Sequence, residues 1–173
     1  SVPPDVQRIG IIVGASVLVL SQIVMVAIMT MTPIHMQHHG STLSAVGIVI
    51  GLHVASMYLP SLVTGSLVDK VGRIKMVIAS AVTLTVAGLL AAFAPGDSTL
   101  LLTLALMLLG LGWNFGLISG TAIVIDSTTI QTRAKTQGSI DVGVAIGGSV
   151  GSLLSSVIVA FSSYAVLGFM GAY

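Results

Sequence analysis

Between residues 65 and 76 the chain reads Gly65-Ser66-Leu67-Val68-Asp69-Lys70-Val71-Gly72-Arg73-Ile74-Lys75-Met76. This stretch holds the densest cluster of charge in a sequence of which only 6% of residues are charged. An apolar run leads into the cluster from Leu43, and another leaves it from Met76. Two apolar segments joined by a few basic residues are typical of two membrane-spanning helices with a short loop between them.

Single residues of this loop have separate physical roles. Gly65 lets a neighbouring backbone come close, and Gly72 lets the chain reverse where a side chain would obstruct it. Asp69 lies at a predicted helix C-terminus, where the dipole disfavours a carboxylate, so we expect a cation or another helix's N-terminus to hold it. The basic residues, which can lie among anionic lipid headgroups, are Lys70, Arg73 and Lys75.

The composition of the whole chain agrees with a membrane location. It is 55% hydrophobic with a mean hydropathy of +1.11, whereas a soluble domain carries about 25% charged residues. The net charge of +1 predicts no nucleic-acid partner. The absence of Cys from the sequence excludes disulfides, thiolate metal sites and a catalytic thiol. With no nucleophile–base pair and no phosphate-binding loop in the sequence, we predict neither an enzyme nor a cofactor.

The apolar runs predict an all-α, polytopic membrane helix bundle that forms a single transmembrane domain over residues 1–173. The predicted spans are about 9–32, 43–68, 74–93, 99–125 and 138–161, with an incomplete sixth span at 163–173. Pro60 should bend the second span. The last segment covers roughly 16 Å, about half of a hydrocarbon core, so the final helix is expected to be cut short. Ser1 stands in place of an initiator Met, and we expect the chain to be part of a longer one.

The basic residues define the predicted topology. With five clean crossings all six Lys and Arg fall on one side, at Arg8, Lys70, Arg73, Lys75, Arg133 and Lys135. The positive-inside rule makes that side cytoplasmic. We therefore predict a multi-pass protein of the plasma (inner) membrane whose partner is the lipid bilayer and whose basic loops are cytoplasmic.

The spacing Gly-x-Leu-x-Asp-Lys-x-Gly-Arg-x-Lys, from Gly65 to Lys75, resembles the loop motif of the major facilitator superfamily of transporters. It departs from that motif at Ile74, where a second basic residue is common. The resemblance implies a six-helix half of such a transporter, built as a 3+3 inverted repeat. It favours the C-terminal half, so the missing partner would be an N-terminal six-helix half that completes the central cavity.

Three strongly polar residues lie near the middle of predicted spans: Gln22, His53 and Asn114. Such groups are costly in lipid and are interpreted as functional, and secondary transporters bind substrate near the midplane. We expect them to bind substrate, with Trp113 as an aromatic wall. The alternative is that each bonds to a neighbouring helix. His53 is also the candidate proton carrier, because imidazole titrates near neutral pH.

The resemblance also implies a cytoplasmic gate at Asp69 and Arg73, with Gly65 and Gly72 in the same loop. In the family, the loop-motif aspartate latches the two halves together while the cavity faces outward. Carried onto this sequence, that role falls to Asp69.

Two further aspartates are predicted near the cytoplasmic face and are assigned to the same gate. Asp126 lies at a helix C-terminus, so we expect it to pair with Arg133 or Lys135. Arg133 is assigned to the gate as well. Asp141 lies in the opening turns of the fifth predicted span, where the helix dipole favours a carboxylate.

Two patterns are interpreted as structural. Small residues recur at every fourth position and predict close helix packing; they are Gly47, Gly51 and Ala55, then Gly112, Gly116 and Gly120, then Gly143, Gly147, Gly151 and Ser155. The histidines of the predicted outer loop have no carboxylate or thiol partner, so we predict no metal site; they are His35, His38 and His39.

Taken together, these patterns predict a secondary active transporter of a small molecule that works by alternating access. Proton coupling, multidrug-type efflux and antiport follow as finer expectations. The competing interpretation is a non-transporting membrane assembly partner, or a half-length module that dimerises.

Overall fold

The computed structural model describes the backbone of residues 2–171 and the side chains of residues 2–162. Its helices are α1 (Pro4–His38), α2 (Leu43–Tyr58), α3 (Ser61–Val71), α4 (Arg73–Phe93), α5 (Thr99–Asp126) and α6 (Ile130–Gly171). Within the described residues, five helical segments are long and apolar enough to cross a membrane, and α2 with α3 counts as one of them. The predicted all-α membrane bundle is therefore confirmed.

Pro60 divides the second predicted span. α2 ends at Tyr58, and α3 begins at Ser61. Pro60 has no N–H to donate, so the helical hydrogen-bond ladder is interrupted there. Leu59 N donates to Ala55 O at 2.9 Å, and the next turn restarts when Thr64 N donates to Pro60 O at 2.8 Å. The bend expected from the sequence is thus a short break between two helices.

α1 and α6 are both longer than the sequence predicted. α1 continues through Pro33 to His38, where a loop was expected after residue 32. Its last turns are held by Met36, which is 1% exposed and packs in the core.

α6 begins at Ile130 rather than near residue 138, because good helix formers recur over residues 131–137. They are Gln131, Arg133, Ala134, Lys135 and Gln137. It also runs without a break through residue 162, where two spans were expected to meet. No Gly or Pro occurs between Gly151 and Gly168 to end the helix. The last two residues of the predicted sixth span lie outside the described residues.

α5 is the central helix of the bundle. Half of its membrane-spanning window is buried, 50% against 17% to 22% for the other four spans. α1, α2, α3 and α4 all pack against α5, whereas α6 packs along α1 and hardly touches α5. The arrangement leaves a groove between α5 and α6, with α1 as its floor.

Two of the three predicted small-residue stripes are packing surfaces. On α5, a Cβ at Gly112 would meet Leu84 of α4, and one at Gly120 would meet Leu18 of α1. On α6, a Cβ at Gly151 would lie 2.8 Å from the Ile23 carbonyl oxygen of α1. The close packing predicted for these stripes is confirmed.

The glycines of the small-residue stripe on α2 do not pack against any other helix that the structure describes. No described atom outside the local helix lies within 4 Å of a Cβ built at Gly47 or Gly51, and both residues are exposed. Gly65 of α3 is open in the same way. The sequence predicted that a neighbouring backbone comes close to Gly65, but no residue that the structure describes does so.

The basic residues gather at one end of the bundle. Gly10, near Arg8 at the start of α1, packs against Ser127 at the end of α5. At this end Arg73 of α4 also bonds Asp126 of α5. His39 packs against Gly96 at the opposite end. The structure thus brings the cation-bearing segments together, and the side of the membrane that they face stays a prediction.

Candidate functional site

The charged loop forms a cluster that joins three helices. Arg73 Nη1 donates to Asp69 Oδ1 at 2.9 Å, and Arg73 Nε donates to Asp126 Oδ2 at 2.8 Å. The exposed fraction of the side chain is 32% for Arg73, 72% for Asp69 and 54% for Asp126. Because ion pairs this exposed are screened by water, each contributes about 0.2–1 kcal/mol to the stability of the fold. We call these three residues the charge cluster. Asp69 is held by a cation, as the dipole argument predicted.

The expected partner of Asp126 was wrong. Instead of Arg133 or Lys135, Asp126 binds Arg73 across the bundle end. Arg133 is engaged elsewhere, because its Nη2 donates to Ile125 O at 3.2 Å and to Thr128 O at 3.3 Å. These carbonyls lie at the C-terminus of α5, where backbone acceptors lack helical partners and a cation is favoured.

Gly72 makes the tight connection on which the cluster depends. It joins α3 directly to α4 with φ 105° and ψ 149°. This region is essentially limited to glycine, because a Cβ would clash with the backbone. The chain reversal predicted at this residue is confirmed, and it places Asp69 and Arg73 close enough to bond.

Asn114 is fully buried where α5 meets the break between α2 and α3. Its Nδ2 donates to Met57 O at 2.8 Å and to Ser61 Oγ at 2.7 Å, and its Oδ1 accepts from Thr64 Oγ1 at 2.6 Å. Every polar atom of the side chain is therefore used inside the protein. These bonds are the ones expected if Asn114 bonds to a neighbouring helix, and Asn114 is not among the residues that line the groove between α5 and α6.

His53 is also fully buried, between α2 and α5. Its Nδ1 lies 2.7 Å from Leu106 O, so Nδ1 carries the proton and donates it. Its Nε2 is buried without a hydrogen-bond partner among the described residues. The structure thus places His53 in the interface between α2 and α5, and His53 is not among the residues that line the groove between α5 and α6.

Gln22 and Trp113 do lie together in the groove between α5 and α6. Trp113 Nε1 donates to Gln22 Oε1 at 3.0 Å, which links α5 to α1. Both side chains line a cavity of about 90 Å³. A second cavity of about 210 Å³ lies beside it and shares Leu18 and Thr121 with it. We call these two adjoining cavities the groove site.

Asp141 also lines both cavities of the groove site. It lies eleven residues after Ile130 on α6, which is about 16 Å along the helix axis. The predicted grouping with the cytoplasmic gate placed it in the opening turns, because the helix was expected to begin near residue 138. The charge cluster contains Asp69, Arg73 and Asp126 but not Asp141.

Sequence reasoning missed three residues of this face. Tyr58 stacks edge-on against Trp113 with ring centroids 5.7 Å apart, while Thr121 and Gln137 line the groove site. Gln137 lies four residues before Asp141 and hence on the same helix face. That spacing was visible in the sequence, but the late predicted start of the helix hid it.

The three histidines end α1 instead of lying in a free loop. The rings of His35 and His39 are 4.4 Å apart, and His39 Nδ1 lies 2.9 Å from His35 O. Within the described part of the chain, no group of three or more His, Cys, Asp or Glu residues has the geometry to hold a metal ion.

Comparison with known proteins agrees with this geometry. A family model described as Major Facilitator Superfamily matches residues 14–173, which is nearly the whole chain. The chain belongs to the major facilitator superfamily. The family predicted from the 65–75 loop is therefore confirmed, and the superfamily consists of transporters and not of enzymes.

The chain is similar to three curated proteins. It is 65% identical over 162 residues to the uncharacterized MFS-type transporter YdeG of Bacillus subtilis, covering 94% of this chain and 38% of the relative. It is 60% identical over 169 residues to the uncharacterized MFS-type transporter YddS of the same species, covering 98% and 39%. It is 36% identical over 125 residues to the riboflavin transporter RfnT of Brucella anthropi, covering 71% and 30%.

The chain thus spans about two fifths of the length of the two Bacillus relatives. No solved structure matches it.

Proposed function

We propose that this chain is one half of a secondary active transporter that moves a small organic molecule by alternating access. The observation that carries the proposal is the groove site, where Gln22, Trp113 and Asp141 meet between α1, α5 and α6. A partner half that covers this face would enclose a central cavity of the kind that secondary transporters use. Membership of the superfamily supports this assignment.

The character of the groove site suits an amphipathic molecule. Leu117 and Val144 provide apolar walls, while Gln22 offers an amide N–H because its oxygen is already bonded to Trp113. Ligand sites combine apolar walls with a few placed polar groups in this way. The name of the relative RfnT, a riboflavin transporter, supports an organic substrate of similar character.

We further propose that movement is driven by exchange with protons across the plasma membrane, with the basic end in the cytoplasm. The gathering of the Lys and Arg segments at one end of the bundle supports this orientation through the positive-inside rule. The burial of the His53 ring between α2 and α5 favours the alternative that it bonds to a neighbouring helix over the role of proton carrier.

The charge cluster is proposed to be this half's part of the cytoplasmic latch. Asp69 is 72% exposed even while it binds Arg73, so its carboxylate remains accessible to a partner half. Arg73 also ties the loop to the end of α5 through Asp126. A contact made at Asp69 would therefore be transmitted to α5, which lines the groove site.

The change Asp69→Asn tests this latch in the protein joined to its partner half. Because the neutral amide weakens the closed cytoplasmic contact, we expect a shift toward the inward-open state. The reporter is a cysteine introduced by Thr121→Cys in the groove site, labelled from the cytoplasmic side with an impermeant maleimide. We expect faster labelling in the Asp69→Asn background.

The matched control is Asp97→Asn, which removes the same charge from the exposed turn between α4 and α5. It should leave the labelling rate unchanged. Equal rates with and without Asp69→Asn would contradict the latch.

A further inference from the structure

A groove between α1 and α6 lies at the basic end of the bundle and encloses a cavity of about 400 Å³. One face of each helix forms its walls. The lining residues are Ile11, Ala15 and Val19 of α1, and Lys135, Thr136, Ser139, Ile140 and Gly143 of α6. Only Ile140 also lines the groove site. We call this second cavity the α1–α6 groove.

The α1–α6 groove is about as long as one leaflet of a membrane is thick. Val19 lies eight residues after Ile11, and Gly143 lies eight residues after Lys135, so each wall runs about 12 Å along its helix. Half of a hydrocarbon core is about 15 Å. Both walls belong to helices that are long and apolar enough to cross a membrane. The groove therefore has the length over which a lipid acyl chain lies.

Two cations flank the basic end of the groove, one on each wall. Lys135 is exposed and lines the groove. Arg8 is also exposed, and it lies three residues before Ile11 and hence on the same face of α1. Neither cation forms an ion pair with a residue that the structure describes. No Asp or Glu occurs among the lining residues, so the groove ends in positive charge that a ligand can neutralise.

These two features together select the class of ligand. Basic pockets between membrane helices bind acidic lipid headgroups, and long basic side chains hold their charge at the membrane surface. A soluble anion would use the cations and leave the apolar walls empty. A lipid without net charge would use the walls and gain little from the cations. An anionic phospholipid uses both.

We propose that the α1–α6 groove binds one anionic phospholipid, with its phosphate at Lys135 and Arg8 and one acyl chain along Ala15 and Gly143. The site goes beyond the proposed transport function and does not depend on it. α6 hardly touches α5 and is held mainly along α1. A lipid that contacts both α1 and α6 therefore stabilises the helix that forms one wall of the groove site.

The test measures lipid binding to the protein joined to its partner half, by native mass spectrometry in detergent. The probes are phosphatidylglycerol, which is anionic, and phosphatidylcholine, which has no net charge. We expect phosphatidylglycerol to bind more tightly. Lys135→Gln and Arg8→Gln should each raise the Kd for phosphatidylglycerol about fivefold and leave the Kd for phosphatidylcholine within about twofold.

A second variant tests the apolar wall without changing charge. Gly143→Leu fills the groove and should raise the Kd for phosphatidylglycerol about tenfold. A Cβ at Gly143 would lie 3.6 Å from Val19 Cγ2, an ordinary van der Waals distance, so the packing of α1 on α6 tolerates it. The matched control is Gly138→Leu, at an exposed position of α6 with no described atom within 4 Å of its Cβ. It should bind as the unmodified protein does.

Two further controls separate this site from general attraction to charge. Lys75→Gln removes a cation from the same end of the bundle, at an exposed residue that does not line the groove, and it should leave the Kd unchanged. Glycerol 1-phosphate, which is the headgroup without acyl chains, should not displace phosphatidylglycerol, because it cannot use the apolar walls.

Several results would overturn the lipid site. An unchanged Kd in Lys135→Gln, or an equal loss in Lys75→Gln, would mean that the groove does not recognise the headgroup. An unchanged Kd in Gly143→Leu would place the acyl chain elsewhere. If phosphatidylglycerol does not bind at all, another occupant such as the partner half covers the groove. The transport proposal stands in each case, because it rests on the groove site.

Discussion

At the scale of single residues, the polar groups of the spans divide by the face on which they lie. Asn114 and His53 are fully buried, and their hydrogen bonds tie α5 to α2 and α3. Gln22 and Trp113 face the groove site instead. A polar residue in a span can therefore bond to a neighbouring helix or face the groove site. Only a residue that faces the groove site keeps polar atoms free for a substrate.

Asn114 has a specific structural task at the break before Pro60. Met57 O lies in the last turn of α2, where carbonyls lack helical partners, and Asn114 Nδ2 satisfies it. Ser61 and Thr64 at the start of α3 bind the same side chain. A single residue of α5 thus holds both sides of the interrupted span.

The change Asn114→Ala should lower the free energy of unfolding by about 1–3 kcal/mol, because it leaves buried partners unsatisfied. Thermal unfolding in detergent measures the effect. The control is Ser66→Ala on exposed Ser66 of α3, which should change stability by less than about 0.5 kcal/mol. Equal midpoints for Asn114→Ala and the unmodified chain would show that the network does not stabilise the bundle.

At the scale of helices, the small residues of α5 set how closely its neighbours approach. Gly116 lies between α1 and α4, and a Cβ there would meet the hydroxyl oxygens of Ser21 and Ser80. Ser80 Oγ is itself committed to Gly112 O at 2.7 Å. Ser80 cannot move aside without losing this buried hydrogen bond, so the space between Gly116 and α4 is fixed.

The change Gly116→Val should therefore separate α1 or α4 from α5 and destabilise the bundle by about 1–3 kcal/mol. Gly51→Val is the matched control, since no described atom outside the local helix lies within 4 Å of its Cβ position. Resistance to unfolding in increasing SDS, followed by circular dichroism, distinguishes the two. Equal loss in both variants would mean that helix propensity, and not packing at Gly116, is responsible.

Helix periodicity made much of the fold predictable from the sequence. The spans, the break at Pro60 and the turn at Gly72 follow from apolar runs and from residues with restricted or special backbone geometry. The burial of His53 could also have been predicted, because Val46, Val49 and Met57 lie with it on one helix face. The mid-span position of His53 instead favoured a functional interpretation, because a polar side chain in the middle of a span is costly in lipid.

Other features depended on contacts that the sequence does not encode locally. The partner of Asp126 is 53 residues away, at Arg73. The place of Asp141 depends on where α6 begins, and helix ends in polar connectors are poorly specified by hydropathy. The error at Asp126 concerns the predicted cytoplasmic gate, where charged residues have several partners within reach.

At the scale of the whole molecule, two grooves of the described bundle differ in character. The groove site between α5 and α6 carries Gln22, Trp113 and Asp141. The groove between α1 and α4 has a cavity of about 530 Å³ lined mainly by apolar residues such as Val24, Ala81 and Leu89. We infer that the first faces an aqueous pathway and that the second faces lipid or another apolar helix.

The central claim is thus that water and substrate reach the groove site and not the groove between α1 and α4. The sequence contains no Cys, so single cysteines introduced by Thr121→Cys and by Ala81→Cys report on one groove each. The measurement is the rate of labelling by an impermeant maleimide in native membranes. The account predicts labelling at least about tenfold faster at position 121, because only a hydrated thiol ionises and reacts. Equal rates at the two positions, or faster labelling at position 81, would contradict it.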